Sequence, residues 1–128
     1  MRPLRFRYLW LFGGLCLVGL VLYSTLMPPR ALPVLVIVND KAAHGFAFVA
    51  LMAWFCGVFE MRFAPLVAVA LLCLGILIEL VQQQLTYRSA ELADSLADIA
   101  GIGVGWMLAA AGLQRWTARV ESWIVPNH

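Results

Sequence analysis

Eight polar residues in an otherwise apolar chain carry most of the chemistry the sequence offers: Asp40, Lys41, His44, Glu79, Gln82, Arg88, Asp94 and Asp98. They stand within or beside apolar runs long enough to span a bilayer. An ionisable side chain in hydrocarbon costs several kcal/mol, so it persists where it meets a partner, lines a wet cavity or performs work. His44, Glu79 and Asp98 are the candidate catalytic groups, because an imidazole and carboxyls in apolar surroundings can take and give protons. Asp40, Lys41, Gln82, Arg88 and Asp94 are the candidate binding groups. Among these, Arg88 can grip a carboxylate or phosphate through two parallel hydrogen bonds.

Each residue also has a purely structural reading. His44 lies one helical turn after Asp40, so that carboxylate can orient the imidazole, or Asp40 can simply cap the helix that starts there. Glu79 can pair with Arg88 or Lys41 and lock a bundle. Asp94 can cap its own helix or hold Arg88, whereas Asp98 lies too deep for a cap to explain it. A metal site built from Asp40, His44, Glu79, Asp94 and Asp98 is conceivable, but one His with scattered carboxylates and no tight ligand pattern such as H-E-x-x-H is a weak signal, and neither a metal nor another cofactor is expected.

The elements that position these residues are helices. At about 100° per residue, Asp94, Asp98, Gly101 and Gly105 fall on one stripe, with Gly112 further along it. Small residues on such a stripe let a neighbouring helix approach closely in a membrane, which turns the aspartates toward protein rather than lipid. Gly75, Glu79, Gln82 and Gln83 make a comparable face on the preceding run. The link LTYRSAEL between the two runs suits a tight turn with Arg88 at its tip.

The composition sets the class. The chain is 63% hydrophobic and 12% charged, with a mean hydropathy of +0.89, where about a quarter of a soluble domain is charged. A soluble chain of 128 residues could not bury its helices on all faces. An all-α membrane protein is expected, with four transmembrane helices over residues 8–27, 42–59, 64–85 and 91–113 and an amphipathic interfacial helix over 114–125. In that last helix Trp116, Val120, Trp123 and Ile124 share a face, with Arg115, Arg119 and Glu121 elsewhere. Pro28, Pro29 and Pro33 break the chain after the first span. Residues 34–38 are too short to cross and fit an interfacial or re-entrant piece. The net charge of +2 with scattered basic residues gives no sign of nucleic acid. Cys16, Cys56 and Cys73 all lie in apolar runs, against a disulfide framework or a zinc site.

Orientation follows from the arginines and lysines. Arg2, Arg5, Arg7, Arg62, Arg115 and Arg119 fall on the side of the termini, against Arg30, Lys41 and Arg88 on the other. The positive-inside rule then places both termini in the cytoplasm, with the unusual polar residues in the outer half of the bilayer. Little polar chemistry is left for the inner half, which disfavours a continuous ion path.

The order and spacing of the polar residues resemble the VanZ-like family of small polytopic bacterial membrane proteins. The resemblance runs from Asp40 to Gly105. It rests on Asp40-Lys41-Ala42-Ala43-His44 followed by Phe48, on Glu79 and Gln82 with Arg88 six residues later, and on Asp94, Asp98, Gly101 and Gly105 along the last span. Asp98 stands where the family often has Asn. The resemblance implies a cell-envelope protein, in a family named for a protein linked to resistance to the glycopeptide teicoplanin, and supplies no reaction. The expected function is an outward-facing polar pocket that binds or modifies an anionic envelope component, such as a lipid-linked cell-wall precursor or phospholipid headgroup. If it is an enzyme, transfer or hydrolysis at a phosphate or acyl group is what these side chains permit. Two other readings stay open: a non-enzymatic scaffold whose buried charges form a structural network, and a small transporter subunit.

Overall fold

The computed structural model describes residues 2–28, 40–86 and 91–125. Arg30, Arg88, residues 34–38 and the side chain of Asp40 lie outside the described residues. Five α-helices follow one another: α1 Arg7–Leu26, α2 Asp40–Val58, α3 Ala64–Gln82, α4 Leu92–Ala110 and α5 Trp116–Ile124, with single 3-10 turns at Met61–Phe63 and Leu113–Arg115. At 1.5 Å of rise per residue the first four are each close to 30 Å long, the thickness of a hydrocarbon core. All four are long and apolar enough to cross a membrane. Leu66, Leu77, Leu80, Leu96 and Met107 face outward on them, as lipid contact requires. The chain is an all-helical, multi-pass membrane protein.

Local chemistry sets the helix limits, which fall within a turn of those expected. Pro65 sits in the first turn of α3, where its missing N–H costs nothing. Glu91 and Asp94 form a reciprocal capping box that starts α4. Gly112 does not extend the glycine stripe of α4. It lies beyond the helix with φ of 117°, a left-handed conformation open to glycine, and it stops α4 short of residue 113. Likewise α3 ends at Gln82 rather than 85, and exposed Gln83 and Gln84 sit in a turn.

Helix α2 is the hub. Phe48, Leu51, Met52, Cys56 and Val58 on it are almost wholly buried, and it packs most extensively on α4, with α1 on its other side and α3 bridging. The α2–α4 approach depends on glycine. A Cβ at Gly101 would overlap the Gly45 carbonyl oxygen, and one at Gly105 would stand 2.7 Å from Met52 Cβ and 2.8 Å from the Val49 carbonyl oxygen. The buried stripe of α4 comprises Asp94, Asp98, Gly101, Ile102, Gly105 and Ala109, in agreement with the periodicity of the sequence.

At the end where the termini meet, the first residues clasp α5. Glu121 accepts hydrogen bonds from the Arg5 and Phe6 backbone N–H groups, both at 2.9 Å, and from Trp10 Nε1 at 2.8 Å, so a carboxylate from α5 fastens the residues that lead into α1 and puts negative charge beside its positive end. Burial pushes the Glu121 carboxyl up, but the Phe6 and Arg5 N–H groups, the Trp10 indole and the Arg5 charge outweigh it and hold it below its ordinary 4.5. Trp10, Trp54 and Trp116 pack edge to face with centroids 4.9 to 5.9 Å apart. Trp116 is therefore turned into an aromatic cluster, and Trp123 stays outside at 81% exposure. The shared apolar face expected of this helix is split in two.

Candidate functional site

The candidate residues meet at the opposite end, in layers. Antiparallel connections bring the start of α2, the end of α3 and the start of α4 to one side of the bundle. Deepest is a dyad: His44 Nδ1 lies 3.2 Å from Asp98 Oδ1, with each side chain 2% exposed. An ionised carboxylate only accepts, so with Asp98 charged the imidazole carries its proton on Nδ1 and Nε2 becomes the basic nitrogen. Burial makes the pairing mutually necessary, since either charge alone would be stranded in an apolar surround. Gly75 makes the dyad possible. A Cβ there would sit 2.7 Å from Asp98 Oδ2 and 3.4 Å from Phe48 Cζ, so α3 yields the space that the carboxylate fills.

One turn nearer the loops, Ser95 Oγ donates to Glu79 Oε1. Ser95 precedes Asp98 by three residues on α4, and Glu79 follows Gly75 by four on α3, so this pair stacks on the dyad. Both side chains are half-buried. The outermost layer is the Lys41 Nζ to Glu91 Oε2 ion pair at 2.8 Å, with side chains 45% and 54% exposed, together with Asp94, whose Oδ2 accepts from the Glu91 N–H at 3.4 Å. On the α1 side, buried Gln82 donates from Nε2 to the Thr25 carbonyl at 2.9 Å.

Of the three candidate catalytic residues, His44 and Asp98 touch, and Glu79 is held beside them through Ser95. Asp98 is a described carboxylate partner of His44, across 54 positions of sequence. The binding candidates Lys41, Gln82 and Asp94 line the same end, each already bonded within the protein. Ser95, Thr25, Gly75 and Glu91 belong to the arrangement as well. For Ser95 a signal was present, its i−3 spacing from Asp98; the Thr25 carbonyl has none, being backbone.

Chemically, the described site offers acceptors. Asp98 Oδ2 and Gln82 Oε1 are buried and have no hydrogen-bond partner among the described residues, so each retains capacity for an N–H or O–H group. Among the described residues no three His, Cys, Asp or Glu side chains gather as metal ligands.

Fold and site together define a class: a four-span membrane protein with a buried imidazole–carboxylate dyad beneath a half-exposed hydroxyl–carboxylate pair. No protein-family model, curated protein or solved structure matches the chain.

Proposed function

We propose that this is a VanZ-like protein of the bacterial cytoplasmic membrane, with both termini in the cytoplasm, whose loop end binds or modifies an anionic component of the cell envelope. The observation that carries the reading is the His44–Asp98 dyad at 3.2 Å. Asp98 fixes the imidazole, His44 exchanges a proton with the ligand, and the Glu79–Ser95 pair lies between the dyad and the loops. Lys41 and Arg88 supply positive charge to an anionic headgroup, with Lys41 leaving Glu91 to do so. That exchange is inexpensive, because water screens an ion pair between side chains this exposed. The acceptor oxygens of Asp98 and Gln82 suit the hydroxyl or amine hydrogens that a lipid-linked sugar, peptide stem or headgroup carries.

The alternative is a scaffold without catalysis, and a specific observation favours it: Lys41, Glu79, Gln82 and Asp94 each have an internal partner. Two substitutions separate the readings. His44→Gln and Asp98→Asn remove the imidazole and the carboxylate while keeping polar groups of similar shape. Membrane abundance and glycopeptide susceptibility are measured together. On the proposal, both variants accumulate normally and lose any effect on susceptibility. Loss of the protein itself from the membrane supports the scaffold, and full retention of effect with normal abundance sinks the dyad as the working group.

A further inference from the structure

The end opposite the site carries a surface for which the dyad has no use. Six arginines and two acids gather there, and both acids are engaged: Glu60 Oε2 bonds Arg62 Nε at 3.0 Å, and Glu121 accepts its three N–H groups. Arg2 is also consumed, donating from Nε to the Phe59 carbonyl and from Nη2 to Gln114 Oε1. Arg5, Arg7, Arg115 and Arg119 remain exposed, and no described carboxylate bonds their guanidinium groups. Their placement is ordered. Arg119 and Trp123 lie four residues apart on α5, about 6 Å along its axis, and exposed Arg115 ends the 3-10 turn that leads into it. Trp116 is held inward in its aromatic cluster and the Glu121 clasp fixes α5 against α1, so this face is turned away from the protein. Trp123 at 81% and Ile124 at 61% exposure supply apolar surface beside the guanidiniums.

We propose that this face, Arg115–Arg119–Trp123 with Arg5 and Arg7 beside it, docks the headgroups of anionic glycerophospholipids in the leaflet that the termini end meets. Three properties on the page fit that partner. Arg5 has the Glu121 carboxylate nearby, but no described carboxylate bonds the guanidinium of Arg7, Arg115 or Arg119, so a net negative headgroup gains more than a zwitterionic one. Guanidinium geometry matches phosphate oxygens in pairs. An indole beside them, at the level where α1 and α4 leave the hydrocarbon, is suited to the headgroup boundary.

The test uses the full chain in nanodiscs of mixed phosphatidylglycerol and phosphatidylcholine, with the retained lipid ratio read by native mass spectrometry after release. The unsubstituted protein retains phosphatidylglycerol in excess of its share in the disc. Each of Arg115→Gln and Arg119→Gln lowers that enrichment about fivefold, the effect of one surface arginine at an anionic membrane. Arg62→Gln, whose guanidinium is already neutralised by Glu60, changes it far less. Trp123→Phe removes the part of tryptophan quenching caused by brominated phosphatidylglycerol. Should the Gln variants insert poorly, Arg115→Lys with Arg119→Lys keeps the charge and retains most of the enrichment. The proposal is overturned if the unsubstituted protein retains both lipids in proportion to the disc, if the Arg115 and Arg119 variants keep the original ratio, or if Arg62→Gln lowers it as much as they do.

Discussion

Replacing Gly75 by alanine tests whether α3 is shaped to hold Asp98 against His44. The added Cβ would stand 2.7 Å from Asp98 Oδ2 and 3.5 Å from its Cγ, so the carboxylate has to retreat by several tenths of an ångström. It has little room, since His44 Nδ1 waits 3.2 Å from its other oxygen and Phe48 Cζ closes the space at 3.4 Å. Either the carboxylate rotates off the imidazole or α3 moves away from α4. Overpacking costs about 1–3 kcal/mol, and the weakened charge-assisted hydrogen bond about 1.5–3 kcal/mol if it is lost outright. Alanine returns about 1 kcal/mol through helix propensity, leaving a net loss of roughly 0–2 kcal/mol if the hydrogen bond survives and roughly 1.5–5 kcal/mol if it is lost. Gly19→Ala is the matched control, with nothing within 4 Å of its Cβ, so propensity alone acts and the protein gains up to about 1 kcal/mol. Reversible unfolding in mixed detergent micelles reads both, and the ring nitrogen shifts of His44 report the dyad. If the two substitutions move stability in the same direction while His44 keeps its shifts, Gly75 does not position Asp98.

Gly101→Ala, which drives a methyl into the Gly45 carbonyl, is expected to cost about 3 kcal/mol or more by the same unfolding assay, whereas Gly103→Ala, with open space around it, costs nothing. Thr117→Val removes a buried hydroxyl that donates to the Gly57 carbonyl at 2.7 Å and is expected to lose about 1–3 kcal/mol, with Thr117→Ser close to unchanged. The Glu121 carboxyl is depressed by folding, so its contribution is complete above its ordinary 4.5 and disappears as pH falls through the lowered folded value. Thermal unfolding from neutral pH downward therefore shows an acid-side loss of stability that Glu121→Gln diminishes.

Long apolar runs made the four spans readable, because crossing hydrocarbon demands length and uniform apolarity more than any particular residue. The polar stripe of α4 was equally plain, since Asp94, Asp98, Gly101 and Gly105 repeat at helical spacing and lie buried together. Cross-helix pairing was not. Periodicity places His44 beside Asp40 on its own helix, but it carries no sign that the packing of α2 against α4 also brings Asp98 to the imidazole, an approach that the glycines Gly45 and Gly101 permit. The partner of Glu79 was hidden for a similar reason: serine carries no charge, so Ser95 drew no notice beside two aspartates. Trp116 read as a membrane anchor because helix periodicity alone cannot tell an indole turned to lipid from one turned to Trp10 and Trp54.

The Glu121 clasp bears on how the molecule is made. The Arg5 and Phe6 N–H groups just ahead of α1 are taken up by Glu121 of α5, and α5 is synthesised after all four spans. The approach to α1 thus stays unfastened until α5 has been made and has docked beside it. Truncation within α5 would be felt most just ahead of α1, as fraying of residues translated before any of the spans.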